Sequence, residues 1–478
     1  MNLNKIYRYI ILSLPLVGLV GCELTKIPED TISPESYFQN GSQLELWTNG
    51  FYAQFDNAES VAGTNADDNI DNALGDVLMG QRSAADESGW TWTRLRDINY
   101  FLQNSYRCED AAARKQYEGV AYFHRAYFYY VKVRRYGDVP WYDQVIKTTD
   151  AQFLYQPRDS RELVMQHIMD DLDNAIAMLP TAKDPVHVTK WTALALKSRV
   201  ALFEGTFRKY RNMDGWEKYL KLAAEAAETF INESGYKLYT TGDTPYRDLF
   251  NSLTAKTEEV ILTRTYSSTA NVLHGVQFNI TNERQGFTKR FMNHYLMADG
   301  SYYSSQANYD TKIFTDEVAG RDPRLAQTVL CPGYIQKGAS TVTTNSLNAL
   351  TGYQPIKYVA ESQYDGSNKS YTDFPLFRTA EVYLNFAEAK AELGTISQSD
   401  INKSLYTDNK GSFNGTTKKL GTDVILTGAN SGNIHALGSI TVSWNEDRDY
   451  LWPIPASERV LSGGKLTQNP GWTDSTNF

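Results

Sequence analysis

Cysteine is scarce in this chain: three in 478 residues, at Cys22, Cys108 and Cys331. There is no CxxC pair and no metal-ligand spacing, which argues against a metal-stapled or redox-active protein. The six histidines, His124, His167, His187, His274, His294 and His435, form no HExxH or other ligand pair. His124 lies inside an aromatic helical pattern and reads as a core residue. GxSxG, phosphate-loop and dinucleotide fingerprints are also missing. So is any basic excess: 47 Lys and Arg face 56 Asp and Glu, for a net charge of −9 and a pI near 5.4. That excludes a general nucleic-acid binder, which carries a basic face. Asp67, Asn69 and Asp71 begin like a calcium loop. However, Asn72 stands where the loop needs glycine and Leu78 where it needs a bidentate glutamate, so a solvated loop is the reading. No carboxylate spacing singles out a glycosidase pair. The expectation is a protein with no catalysis, no cofactor and no metal.

Long apolar runs are missing as well, with one exception. Residues 10–20 are apolar, follow Lys5 and Arg8, and are short for a bilayer span. They end Leu19-Val20-Gly21-Cys22, which looks like a lipobox. This predicts a lipoprotein signal peptide over residues 1–21, acylation of Cys22, and attachment to a membrane through fatty acyl chains. Residues 22–35, polar and containing Pro28 and Pro34, read as a tether. Cys108 and Cys331 read as buried thiols, because a chain this long needs no disulfide staple.

What the chain does have is aromatic residues, 13% of the total with 32 tyrosines and 9 tryptophans. They concentrate in helical patterns. In residues 110–136, Val120, Ala121, His124, Tyr127 and Phe128 share one face, while Ala126, Tyr129, Val133 and Tyr136 fill the other. A helix apolar nearly all round is buried on several sides. Arg134 and Arg135 suit its C-terminal dipole, and Gly137 and Pro140 stop it. Further helices are expected over residues 34–55 (capped by Ser33 or Ser36), 90–107, 159–179, 189–207 (capped by Thr189), 216–231 and 376–393. Ala193, Ala195 and Ala201 would let helices approach closely. The fold class is therefore mainly α: tetratricopeptide-like helix hairpins with long irregular loops and a few short β-strands. Residues 259–265 and 341–345 are the β-like runs. Long loops within a domain are usually functional, so the binding surface is expected where residues 56–92 and 236–359 lie.

Five blocks carry a resemblance to a known family: the lipobox at Cys22, AYFHRAYFYYVKVRRYGDVPWYD, WTALALKSRVALFEG, FPLFRTAEVYLNFAEAKAELG, and YLWPIPASERVLSGGKLTQNPGW. The chain resembles the RagB/SusD outer-membrane nutrient-uptake lipoproteins. The resemblance implies a single SusD-like helical domain over residues 36–478 and a lipid-anchored position at the outer membrane, facing the cell exterior. It implies capture of oligosaccharide or polysaccharide without catalysis, and a SusC-like TonB-dependent transporter as partner. A peptide- or other nutrient-binding scaffold on the same kind of transporter is the alternative. One departure stands out: near Ser404 an Arg/Glu-rich helix usual in the family is missing. The chain looks internally shortened there, with an apolar face of residues 376–393 left uncovered. For the ligand, loop placement and ring and amide chemistry nominate Trp90, Trp92, Tyr266, Asn279, Arg284, Tyr302 and Tyr303. Flat rings would stack on sugars, and polar groups would bond hydroxyls.

Overall fold

Asp110 starts the longest helix, its carboxylate accepting from the Ala112 and Ala113 N–H groups. The protein was described from a computed structural model covering residues 36–62, 68–70, 75–154, 156–282, 285–343, 349, 351–404, 445 and 448–473. The expected signal peptide over residues 1–21, Cys22, the expected tether and the segment directly after Ser404 lie outside the described residues. In chain order the main helices are α1 (Gly41–Asn49), α2 (Thr93–Asn104), α3 (Ala111–Tyr136), α4 (Arg161–Met178), α5 (Lys190–Tyr210), α6 (Trp216–Glu233) and α7 (Thr379–Glu392). Short pieces connect them, and the described residues include four strands: β1 (Asn69–Ile70), β2 (Val260–Arg264), β3 (Gly286–Phe287) and β4 (Phe374–Arg378).

α3 is the central rod. Both of its faces are buried, from Val120 and His124 on one side to Tyr129 and Tyr136 on the other. It ends at Gly137, whose φ of +74° is one that a side chain disfavours. The last carbonyls of a helix lack intrahelical partners. Here the distant C-terminal segment supplies them: Trp452 N–H donates to Arg135 O, and Asn469 Nδ2 to Tyr136 O. Arg135 also lies over the Trp452 ring at 3.9 Å.

The helices pack in sequence, α3 on α4, α4 on α5, α5 on α6, and α7 back on α5 and α6. Charge pairs step across them. Arg125 Nε meets Asp171 at 2.7 Å between α3 and α4, and Arg161 meets Glu204 at 2.6 Å between α4 and α5. Lys209 meets Glu392 at 2.7 Å between α5 and α7. The first two pairs are buried. A slip of one turn would leave such a charge alone, at about 3–5 kcal/mol. The pairs therefore set which turn faces which. Between α5 and α6 close approach does the same job: a Cβ on Gly205 would stand 2.7 Å from Leu220 Cδ2.

The helical expectations are borne out with local corrections. The first helix begins at Gly41, not near residue 34, because Asn40 is the cap that accepts from Gln43 N–H. Thr189 caps α5 as expected, in a reciprocal capping box with Thr192. Residues 376–378 are strand rather than helix, since β4 pairs antiparallel with β2 before α7 starts. Residues 341–343 form no strand, and 344–345 lie outside the described residues. Cys108 and Cys331 are buried free thiols. On α7, Val382, Phe386 and Ala389 are buried while Leu384 is 55% exposed. Among the described residues no helix is long and apolar enough to cross a membrane.

Candidate functional site

Two irregular loop segments, distant in sequence, are joined by a very short sheet. Asn69 pairs with Phe287 and Ile70 with Gly286, antiparallel. Thr288 N–H extends the seam to Asp68 O at 3.0 Å. Nearby, Glu59 accepts from Asn279 Nδ2 at 2.8 Å, and Ala58 N–H donates to Tyr266 Oη at 2.9 Å.

At this junction lies a cavity of about 440 Å³. Asp68 and Asn69 come from the first segment; Tyr246, Gln285, Phe287, Phe291, Tyr295 and Lys357 come from the second. Thr288 caps a short helix, Lys289–His294, by accepting from Phe291 N–H. Phe287 ends β3 just before this turn, Phe291 lies within it and Tyr295 follows it, and the three rings meet on one side. Phe287 and Phe291 stack at 4.5 Å with 25° between planes, and Tyr295 meets Phe291 edge-on at 5.5 Å. All three keep partial exposure. Asn69 donates weakly to Gln285 Oε1 at 3.4 Å, and its own Oδ1 is buried without a partner among the described residues.

The electrostatics are positive on one wall. Burial lowers the Lys357 pKa. Burial alone would raise Tyr246, but Lys357, Arg378 and Arg324 outweigh it and leave the phenol below its ordinary value. Tyr295 is pushed up to about 12, chiefly by burial. Among the described residues the lining carries one carboxylate, Asp68, whereas glycoside hydrolysis generally needs two. Among the described residues no cluster of three His, Cys, Asp or Glu could hold a metal.

Other hollows flank the frame, two of which hold aromatic residues beside charged or amide groups. One, of about 880 Å³, includes Lys289, Glu317 and Tyr353. In it Lys289 meets Glu317 at 2.7 Å and Tyr353 Oη donates to the same carboxylate at 2.9 Å. The other, of about 390 Å³, is lined by Trp90, Trp92, Asn99 and Tyr142.

The residues nominated from sequence do not form one platform. Trp90 is 7% exposed, wedged edge-on between Trp92 and Tyr136, and belongs to the helical core. Trp92 is half-buried against Phe128, Tyr129 and Tyr142, with Lys132 over its ring. Tyr266 and Asn279 brace the loop junction through Ala58 and Glu59. Tyr303 is 1% exposed, with Arg321 stacked 3.7 Å above it and its hydroxyl donated to Tyr309 O. Tyr303 therefore offers no free face, and Trp90 shows little of its surface to the hollow beside it. Tyr302 beside it is half-exposed, and Arg284 lies outside the described residues. Sequence reasoning missed Phe287, Phe291, Tyr295 and Lys357, although the four-residue ring spacing was there to read.

Antiparallel helix pairs carrying an irregular loop face, with rings and amides around a cavity, define a tetratricopeptide-like ligand-capture scaffold. The comparisons with known proteins agree. A family model described as the SusD family matches residues 258–407, and one described as starch-binding associating with outer membrane matches residues 91–202. SusD-like protein P2 of Formosa agariphila is 24% identical over 533 residues, covering 96% of this chain and 98% of that protein. That span exceeds the 478 residues of this chain, so the relative carries residues that are missing here. Two solved structures from Bacteroides fragilis share the fold. A SusD-like protein has 20% identity and a TM-score of 0.69, covering 94% of this chain and 100% of its own. A SusD-like carbohydrate binding protein has 16% identity and a TM-score of 0.70, covering 89% and 98%. The chain belongs to the SusD/RagB family.

Proposed function

We propose that this protein is a non-catalytic, lipid-anchored outer-membrane protein that captures oligosaccharides and passes them to a SusC-like TonB-dependent transporter. The observation that carries the reading is the ring trio Phe287, Phe291 and Tyr295, set beside the amides of Asn69 and Gln285 around one cavity. Rings give apolar faces for sugar rings, and amides give donors and acceptors for hydroxyls. The family descriptions and the carbohydrate-binding neighbour support the same ligand class. Of the sequence candidates, Trp92, Tyr266, Asn279, Arg284 and Tyr302 stay proposals for contacts with a longer ligand.

Affinity electrophoresis on a panel of polysaccharides tests this. The native protein is expected to be retarded by at least one glycan. Phe291→Ala is expected to weaken that binding by about tenfold, the loss of ~1–2 kcal/mol that removal of a stacking ring brings. A folded protein that no glycan retards would end the reading.

A further inference from the structure

Lys357 is the odd charge in the cavity wall. Its ammonium has three N–H donors, and its one described hydrogen bond is a long contact of 3.4 Å to Tyr246 Oη. No carboxylate lies within ion-pairing distance of it among the described residues. Its cationic neighbours differ: Arg378 is paired with Glu259 at 2.7 Å, and Arg324 with Asp322 at 2.5 Å. What holds Lys357 is aromatic. The Phe250 ring centroid is 3.9 Å from Nζ and that of Tyr246 is 5.4 Å away. Rings position an ammonium without neutralising it, whereas a carboxylate would cancel its charge. Asp68, the described carboxylate of the lining, is felt at Lys357 less than Tyr246 and Arg378 are.

A lone charge this deep is costly to keep. The burial that lowers the Lys357 pKa is that cost, and the depressed Tyr246 pKa reports the same positive field. Lys357 nevertheless retains partial exposure, and it lines the cavity. The chain as a whole is negative, at −9, so its general field repels anions. Attraction for one must be local.

We infer that the cavity takes a sugar bearing a negative group, a uronate carboxylate or a sulfate ester, whose oxygens accept from Lys357 Nζ while the sugar ring meets Phe287, Phe291 and Tyr295. This rests on the glycan-capture reading and narrows it to acidic glycans. Two spare N–H donors of Lys357 match the oxygens of either group.

The test is an oligosaccharide array with uronate-bearing, sulfated and neutral members, probed with the full chain, Lys357→Met and Lys357→Arg. Circular dichroism melts establish that each variant is folded. The bound members are expected to be acidic, with the uronate and sulfate arms telling the two sources apart. Lys357→Met should lose about 10- to 100-fold in affinity, the range for a charge-assisted hydrogen bond, while Lys357→Arg keeps the acidic preference. Neutral members bound equally by the full chain and Lys357→Met would overturn the charge inference and leave glycan capture standing. Acidic members bound equally well by Lys357→Met would overturn the assignment to this residue. A folded protein that binds no member would remove the glycan reading and this inference together.

Discussion

His124 is enclosed by rings, with Phe51, Tyr52, Phe55 and Phe123 all within 6 Å of it. Gln54 Nε2 donates to its Nδ1 at 2.7 Å, which places the ring proton on Nε2. Burial, aided by Arg94, lowers its pKa from 6.5 to about 3. The unfolded chain takes up a proton near pH 6.5 that the folded chain refuses. Stability from this residue is therefore complete above pH 6.5 and falls as the pH drops toward 3, by about 1.4 kcal/mol per unit. Between pH 7 and pH 5 the native protein should lose about 2 kcal/mol more than His124→Leu, measured as urea unfolding free energy. Equal losses in the two proteins would show that His124 is not kept neutral.

At the scale of elements, the α5–α6 contact gives the sharpest expectation. In an exposed helix Gly→Ala stabilises by about 1 kcal/mol. At Gly205 the added Cβ would sit 2.7 Å from Leu220 Cγ and 3.0 Å from Leu220 N. Gly205→Ala should therefore destabilise by about 1–2 kcal/mol, within the range for overpacking. A urea midpoint at or above the native value would mean that the helices are free to part. The helical frame was legible beforehand because its signals are local: the two-faced apolar pattern of α3, the Thr189 cap and the Gly137 stop all lie within a few residues. The strand over residues 376–378 was not, because it exists only by pairing with β2, more than a hundred residues earlier. The loop site was half legible. Composition pointed to the two segments that line the cavity, but nothing periodic announces a seam as short as β1–β3. Ring type does not reveal whether a loop tryptophan such as Trp90 faces solvent or lies against Tyr136. Lys357 was invisible for a related reason, since a missing counter-charge is a fact of three dimensions.

For the whole molecule, the sequence before Ser36 bears on where the protein works. Cys22 follows Leu19-Val20-Gly21, and acylation there would tie a helical body without a membrane-crossing helix among its described residues to a lipid surface. Cys22→Ser should move the protein from the envelope pellet to the soluble fraction after cell breakage. A variant that still sediments as the native protein does would discard the lipid anchor. The same fractionation, repeated with the native protein after detergent extraction, would yield the material in which a barrel partner can be sought.

The seam between the two rims is only two residue pairs long, and it stands apart from the buried arginine and glutamate pairs that hold the frame. Substitutions in either loop segment would thus reshape the proposed site without touching those pairs.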